Sequence, residues 1–471
     1  MKRDSPPTDF DAVVIGAGPA GSAVAILLAR AGWSVALVEK QSFPRRKVCG
    51  ECIAASNWPL LESLGLCTEK AGAPLHHMVL MRGSQSIGAA LPRAEQPGHD
   101  LSVAQAHPWG RALGRETLDT LLVAQARVAG AHVFQPCAVR EVNGAAGGWH
   151  IKIRPSHSDS EFTLNAPVAI AAHGSWESLP SSRARRRRPH LPSDLFAFKA
   201  NFRGTSLAQG LLPVLAFKGG YGGMVLGGDG VTTLACCIRR DELDAFRLRY
   251  PSLRAGDAVQ ALLSEACAGV RLALRGAVRD GAWIAAGPIS PGIRLTESDG
   301  MFRVGNAAGE AHPIIGEGMS MALQSAWLLS GELLGLKGAV HAPPLSGVTR
   351  APSAQTQSLM ARRYARQWRG EFAPRMRLAA AFAHVAMRPA LSRVLVSLAR
   401  WMPSVLTWGA RLGGKVHCAA DPAQVAAVLQ TQFQASQRLP EPPTTSSTSS
   451  TRSTHSTNFY PLNLPTERTS P

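Results

Sequence analysis

Glycines near the amino terminus have the spacing of a nucleotide-binding turn. Residues 16–21 read GAGPAG, directly after a short apolar run and at the start of a helical pattern. Gly16 would permit the tight turn, Gly18 would let the backbone approach a pyrophosphate, and Gly21 would allow the helix to pack closely on the strand. Glu39 ends the next apolar run, where a carboxylate can accept hydrogen bonds from an adenosine ribose. The pattern predicts a dinucleotide site.

A second glycine-rich run, GNAAGEAHPIIGEGMSMAL, spans residues 305–323 and precedes a helix expected to begin near Met319. Glycine lets backbone N–H groups approach a ligand, and a helix N-terminus carries partial positive charge. The run therefore predicts a seat for an anion, or for a ring that becomes anionic. His312 is a candidate proton donor there, or alternatively a histidine that packs the loop. Glu317 is interpreted as structural.

Short apolar runs must position these two loops. Val13–Ile15 and Val35–Val38 read as buried parallel strands with a helix over 23–30 between them, and 168–172 and 302–304 read as further strands. Between residues 194 and 238 the pattern changes to strands with polar alternation, including a hairpin that turns at residues 227–230. A strand follows that glycine cluster, so it is interpreted as a turn and not as a second dinucleotide site.

Charge is distributed unevenly along the 471 residues, whose formal net charge is +18. Residues 350–415 contain twelve Arg or Lys and one acidic residue, and residues 183–188 read RARRRR. No nucleic-acid-binding module accompanies this charge, so nucleic acid is not an expected partner. The expected partners are an anionic membrane surface or an acidic carrier protein, unless the charge only solvates the surface.

The eight cysteines are dispersed, as in cytosolic proteins with free thiols. The amino-terminal residues contain no apolar signal segment, and no window is long and apolar enough to span a membrane. The expected location is the cytoplasm, with peripheral association at the inner face of the membrane as an option. CGEC at residues 49–52 suggests a redox-active dithiol; a zinc site would need a second pair, so no metal is expected.

Residues 391–412 form an amphipathic helical pattern, with arginines opposite an apolar face and Pro403 as a kink. The apolar face comprises Leu391, Val394, Leu395, Leu398, Met402, Val405, Leu406 and Leu412. Two interpretations stay open: a helix that lies in a membrane interface, or one that caps the protein's own core.

Three motifs in order resemble those of flavoproteins with the p-hydroxybenzoate hydroxylase fold, and in particular the geranylgeranyl reductase-like oxidoreductases. They are FPRRKVCGE at 43–51, GRETLDTLLVAQA at 114–126, and the run at 305–323. The resemblance covers about residues 9–336. It implies FAD as cofactor, with NAD(P)H as a candidate transient reductant, and an α/β fold in which a β-sheet substrate domain interrupts a Rossmann-type FAD-binding domain.

The predicted organisation has five parts. They are an FAD-binding domain over 9–190 with a substrate-side excursion near 76–106, a β-rich substrate domain over 191–275, the second part of the FAD-binding domain over 276–340, a basic helical region over 353–437, and a disordered tail over 438–471. The motifs and the resemblance together give the cofactor-binding residues Gly16, Gly18, Pro19, Ala20, Gly21, Glu39, Lys40, Arg45, Lys47, Cys49, Gly50, Arg115, Gly305, Asn306, Gly309, Pro313, Gly316, Gly318 and Met319. The candidate catalytic residues are His312, Tyr221 and Cys49.

Two departures from the family pattern bear on the reaction. Asn306 replaces an Asp that contacts the flavin ribityl chain in the family. His173 replaces an Asp of the hydroxylase members, and this second departure argues against ordinary NADPH-driven hydroxylation. The leading prediction is hydride transfer from reduced flavin to a C=C bond of a hydrophobic lipid, isoprenoid or polyketide-derived substrate. The alternatives are hydroxylation of an aromatic lipid or polyketide, and a flavin-binding protein without turnover; the halogenase W-x-W-x-I-P motif is absent.

Overall fold

The computed structural model describes residues 7–67, 71–94, 107–175, 179–180, 191–295, 299–335, 351–415 and 417–418. The arginine run at 183–188 and the predicted disordered tail lie outside the described residues.

Strands and helices alternate at first and then separate into a sheet and a helical region. The strands are β1 (Ala12–Ile15), β2 (Val35–Val38), β3 (Cys52–Ile53), β4 (His77–Arg82), β5 (Gln85–Ala90), β6 (Arg111–Ala112), β7 (His132–Phe134), β8 (Cys137–Ala145), β9 (Gly148–Pro155), β10 (Phe162–Ala166), β11 (Val168–Ala171), β12 (Leu195–Arg203), β13 (Leu211–Phe217), β14 (Gly220–Leu226), β15 (Thr232–Arg239), β16 (Val278–Ile289), β17 (Gly292–Ile293), β18 (Phe302–Arg303) and β19 (Gly309–Glu310). The helices are α1 (Pro19–Arg30), α2 (Trp58–Ser63), α3 (Arg115–Val128), α4 (Arg240–Arg249), α5 (Ala255–Ala266), α6 (Ala268–Ala273), α7 (Gly318–Leu333), α8 (Ala354–Met387), α9 (Pro389–Trp401) and α10 (Ser404–Ala410).

A five-stranded parallel sheet in the order β18-β11-β1-β2-β7 forms the centre of the nucleotide-binding domain. β1 and β2 are completely buried, because alternate residues of each strand pack on opposite sides of the sheet. Val14 and Leu37 face a core shared with the helices, whereas Val13 and Val38 face the three-stranded sheet β10-β9-β8. Their continuous apolar character is what burial on both faces requires.

Helix α8 belongs to this same core, although the sequence assigned it to a separate helical region. Its buried face carries Met360, Trp368 and Phe372 and packs against α7. The hydroxyl of Tyr364 donates to the carbonyl oxygen of Arg303 in β18, at 2.8 Å. The long helix therefore covers a side of the domain that the parallel sheet and its own helices leave open.

The second domain is built on a seven-stranded sheet in the order β16-β12-β15-β14-β13-β4-β5. Its strands are antiparallel except for β13 and β4, which run parallel. β16 continues the sheet to Ile289, beyond the predicted boundary at residue 275, because it supplies hydrogen-bond partners to the free side of β12. The sheet also takes in β4 and β5 from the early excursion near 76–106.

Helices cover both faces of that sheet. α4, α5 and α6 pack on one face, around Phe246, Leu263 and Val270. The end of α8 together with α9 and α10 packs on the other face, against Leu80 and Tyr221. Pro403 divides the predicted helix over 391–412 into α9 and α10, since proline lacks the backbone N–H and disfavours a helical preceding residue. Among the described residues, none of the helices combines the length and apolar character that crossing a membrane requires.

Candidate active site

One large cavity of about 1860 Å³ lies between the nucleotide-binding domain and the seven-stranded sheet. Most residues predicted to bind the cofactor line it: Gly16, Gly18, Pro19, Ala20, Glu39, Lys40, Arg45, Lys47, Cys49, Gly50, Arg115, Gly305, Asn306, Pro313, Gly316, Gly318 and Met319. Gly21 and Gly309 are not among the lining residues. Both serve packing: a Cβ on Gly21 would lie 1.9 Å from the Gly16 carbonyl oxygen, and one on Gly309 would lie 2.4 Å from the Trp368 ring.

The first glycine turn is closed against the protein at Gly16 and open toward the cavity at Gly18. Gly16 has φ = +106°, and a Cβ there would lie 2.6 Å from the carbonyl oxygen of Ala172. A Cβ on Gly18 would meet only the Arg115 side chain, at 3.6 Å. Space, backbone donors and a guanidinium group at the start of α1 are what a pyrophosphate needs.

Arg115 is held at this turn by a buried carboxylate. Its Nε and Nη2 both donate to Asp119, one turn further along α3, at 2.7 Å. Burial lowers the pKa of the guanidinium, but the charge and hydrogen bonds of Asp119 outweigh that cost and raise the pKa above its ordinary value. A fixed positive charge therefore faces the turn.

Glu39 is buried at the end of β2 and is engaged by protein donors. The backbone N–H groups of Ala17 and Gln41 each donate to its carboxylate at 3.0 Å, and Arg45 lies 3.4 Å from it. The carboxylate thus ties the glycine turn to β2 besides lining the cavity. A ribose would bond to a group that the protein has already oriented.

The second glycine run forms a loop that ends at the N-terminus of α7. Gly305 and Gly316 both have positive φ, at +59° and +64°, and Gly318 has no atom within 4 Å of a Cβ position. Glu317 points the other way: it is completely buried, and its charge acts on Arg375 of α8. The loop therefore exposes backbone and helix N-terminus to the cavity, which suits a ring that gains negative charge on reduction.

Asn306 is explained by a buried carboxylate that sequence reasoning missed. Its amide nitrogen donates to Glu310 at 3.2 Å, and the Ser175 hydroxyl and Arg294 donate to the same carboxylate at 2.8 and 3.0 Å. Glu310 is only 4% exposed. An Asp at position 306 would set a second carboxylate against it, so this chain needs the neutral donor that Asn supplies.

Tyr221 and His312, proposed separately from the sequence, are brought together. The Tyr221 hydroxyl on β14 lies 3.1 Å from Nδ1 of His312 in the second glycine run, and Tyr221 lines the cavity. Burial raises the pKa of Tyr221 well above its ordinary value and lowers that of His312. Both shifts favour the neutral forms of the pair, a phenol and an imidazole.

A second polar cluster joins the two domains at Glu51, a residue that the sequence did not single out. Glu51 has a positive φ of 56° and forms a buried ion pair with Lys199 of β12. Its carboxylate also accepts from the Thr233 hydroxyl at 2.6 Å and from the backbone N–H of Arg115 at 2.8 Å. The cluster links the loop after β2 to the seven-stranded sheet, and only Glu51's place in the CGEC segment could have drawn attention to it.

Cys49 and Cys52 are both free thiols. Both line the cavity; the Cys49 sulfur accepts from the Glu51 backbone N–H at 3.4 Å, and Cys52 lies in β3, which pairs with β6. The redox-dithiol hypothesis stays a prediction.

The nucleotide half of the cavity fits FAD. Gly18 and Gly318 leave space in its two loops, and each loop ends at a helix N-terminus. Arg115 supplies a fixed guanidinium, and Glu39 supplies an oriented carboxylate. The fold is that of FAD-dependent oxidoreductases, as the motifs predicted.

Comparison with known proteins agrees with this class. Residues 9–189 match the family model described as FAD binding domain. The chain is 26% identical over 342 residues to conditioned medium factor receptor 1 of Dictyostelium discoideum, an alignment that covers 69% of this chain and 63% of that protein. It is 25% identical over 322 residues to digeranylgeranylglycerophospholipid reductase 1 of Methanopyrus kandleri, covering 67% and 78%.

The fold is also that of a solved structure, the myxobacterial chondrochloren halogenase, a variant of FAD-dependent halogenases. The TM-score is 0.65 at 18% identity, covering 91% of this chain and 97% of the halogenase. What the two share is the fold; FAD as the cofactor is supported by the match of residues 9–189 to the FAD binding domain model.

Proposed function

We propose that this protein reduces a carbon–carbon double bond of a hydrophobic, lipid- or polyketide-derived substrate. The observation that carries the proposal is the apolar half of the cavity, which begins where the second glycine run meets β14 and continues along the seven-stranded sheet. When bound and reduced, FAD would supply the hydride, and NAD(P)H is the proposed transient reductant. The named activity of the Methanopyrus relative, a lipid reductase, is of the same kind.

The lining of that half indicates an apolar substrate. It includes Met78, Leu80, Ala197, Leu212, Val214, Ala216, Met224, Val225, Ile289, Ile314, Leu395, Val405 and Leu406. Charged side chains that line the cavity come, among the described residues, from the nucleotide-binding segments and from Glu51. A long hydrocarbon would bury its surface here without leaving a charge unpaired.

Protonation of the second carbon is assigned to Tyr221. The phenol is buried and borders the apolar half, and burial raises its pKa further above the neutral range, so it holds a proton to give. His312 supports it: with a proton on Nδ1, the imidazole donates to the phenolic oxygen and stabilises the charge that develops as the phenol gives up its proton. His312 is only partly buried, so the pair can be reprotonated from solvent.

Anaerobic single turnover tests this proposal. The FAD-loaded protein is photoreduced and mixed with lipid extracts or polyprenyl lipids, and flavin reoxidation is followed together with product mass. We expect reoxidation with a gain of two hydrogens in the product.

Two results would contradict the proposal. Reoxidation only with oxygen and a gain of one oxygen atom would instead establish hydroxylation. Failure of every extract to reoxidise the flavin would favour a flavin-binding protein without turnover.

A further inference from the structure

Large apolar side chains are concentrated on the outer surface of α9 and α10. Of the fifteen large apolar residues exposed among those described, seven lie within residues 391–412. We call these seven the outer patch: Leu391, Val394, Leu398, Trp401, Met402, Trp408 and Leu412. Trp401 is 92% exposed, Val394 66% and Trp408 61%. Single exposed apolar residues are ordinary, but their concentration on one segment indicates an interaction surface.

The inner side of the same segment forms a wall of the cavity. Leu395, Val405 and Leu406 line its apolar half. The segment is fastened to the edge of the sheet, because Arg82 of β4 donates to the Ser392 hydroxyl at 2.8 Å and Thr407 donates to the carbonyl oxygen of Ala90 at 2.6 Å. One layer of helix therefore separates the apolar cavity from the outer patch.

The predicted apolar face is divided between the protein interior and the surface, so part of it caps the core and the other part stays available for a membrane. Leu406 is buried and Leu395 is partly buried against the seven-stranded sheet, whereas Val394 and Leu398 face outward. A test of surface binding must therefore leave Leu395 unchanged and use outer residues.

The charge around the patch favours an anionic surface. Arg388, Arg393 and Arg400 are exposed on the same segment. The one acidic residue between positions 350 and 415, Glu371, is on α8, next to His417 and Arg375. A second copy of this chain would bring like charges together, and an acidic protein would not account for two exposed tryptophans. Arginine, tryptophan and aliphatic side chains together are typical of helices that lie in a bilayer interface.

We propose that α9 and α10 lie in the interface of an anionic bilayer, with the outer patch inserted among the lipids. The wall of the substrate cavity then faces the membrane, so that a lipid substrate has a short path from the bilayer to the cavity. The lipid character of the substrate rests on the proposed function, whereas the docking itself does not.

The experiment measures binding without any substrate. The full-length FAD-loaded protein is sedimented with vesicles of phosphatidylcholine alone and with vesicles of equal parts phosphatidylcholine and phosphatidylglycerol. We expect binding to the anionic vesicles that high salt releases only in part. The double variant Val394→Ser/Trp401→Ser should lower the partition coefficient at least about tenfold, since both side chains would leave the lipid phase.

A matched control uses exposed apolar residues elsewhere. Val128→Ser/Leu248→Ser changes residues that are 81% and 83% exposed, and vesicle binding should stay as in the unchanged protein. Flavin content and the thermal midpoint show that each variant is folded. Lipids with brominated chains should quench tryptophan fluorescence, and the Val394→Ser/Trp401→Ser variant should lose part of that quenching.

Several outcomes would overturn the proposal. In the first, the unchanged protein does not bind anionic vesicles. In the second, high salt abolishes binding completely and the double variant binds as the unchanged protein does. In the third, the protein forms a concentration-dependent dimer that dissociates in the double variant. The last would identify a second copy as the occupant. Because no turnover is measured, these outcomes leave the proposed reduction untouched, and failure of the reduction leaves the docking result standing.

Discussion

At the scale of single residues, Gly16 and Gly18 show how two glycines in one motif meet different needs. Gly16 is required by the chain itself, because its φ of +106° and the nearby Ala172 carbonyl exclude a side chain. Gly18 has an ordinary negative φ of −72° and open space beside it. A pyrophosphate bound in that space, as the motif predicts, would account for its lack of a side chain.

We therefore expect Gly18→Val to fold without flavin and Gly16→Val to misfold. The valine side chain at position 18 would occupy the pyrophosphate position, whereas a valine side chain at position 16 would strain the backbone. Flavin absorbance per protein and circular dichroism distinguish the two. A Gly18→Val protein that keeps its full flavin content would show that the pyrophosphate lies elsewhere.

Tyr221→Phe removes the proposed proton donor and keeps the ring. The rate of product formation in single turnover should fall about 10²-fold or more, the usual contribution of a general acid. Flavin content should not change, because the phenol is not part of the nucleotide site. Tyr250→Phe is the control, since that tyrosine is exposed and distant from the cavity lining. Equal rates in both variants would exclude Tyr221 as the donor.

At the scale of elements, the contact between the loop after β2 and the strand β12 depends on one buried ion pair. Lys199 is 1% exposed and Glu51 5% exposed, and the carboxylate is completed by Thr233 and by the Arg115 backbone. Such a pair adds little net stability compared with apolar residues, but each charge is costly without its partner.

Lys199→Met should accordingly lower the free energy of unfolding by about 3–5 kcal/mol, because it leaves the Glu51 carboxylate buried without its counter-ion. Lys218→Met is the matched control: its pair with Glu242 is at the surface, with Lys218 71% exposed, and should cost at most about 1 kcal/mol. Denaturant unfolding of the two variants provides the comparison. Equal free energies of unfolding of the two variants would mean that the Glu51 carboxylate is protonated or hydrated once Lys199 is removed.

At the scale of the whole molecule, the cavity lies where the two domains meet. Residues of the five-stranded sheet, the second glycine run and the seven-stranded sheet all border it. A ligand that contacts both domains stabilises each domain and also their relative arrangement, since it binds only the folded chain.

Removal of FAD should therefore lower the thermal midpoint, and added FAD should restore it. At a free concentration about one hundred times the dissociation constant, the cofactor adds about 2.7 kcal/mol to the free energy of unfolding. Calorimetry of the flavin-free protein against increasing FAD gives the measurement, with riboflavin as the control that lacks the pyrophosphate and adenosine. A midpoint that does not depend on FAD would contradict the assigned site.

The amino-acid sequence by itself determined the local features of the protein. The strands β1 and β2, the glycine turn between them and the start of α7 follow from glycine spacing and short apolar runs, which act within a few residues. The family motifs added FAD and the interrupted fold. The kink at Pro403 is likewise a local property of proline, and the structure confirms it.

Only the tertiary structure decided which distant residues meet. The Tyr221–His312 pair joins residues 91 positions apart, and the Lys199–Glu51 pair joins residues 148 positions apart. The same is true of the amphipathic helix pattern, since periodicity gives an apolar face but does not say how much of it a neighbour covers. Apolar packing has no direction and no fixed partner in the sequence, so only the folded sheet determines that Leu395 is inside and Trp401 outside.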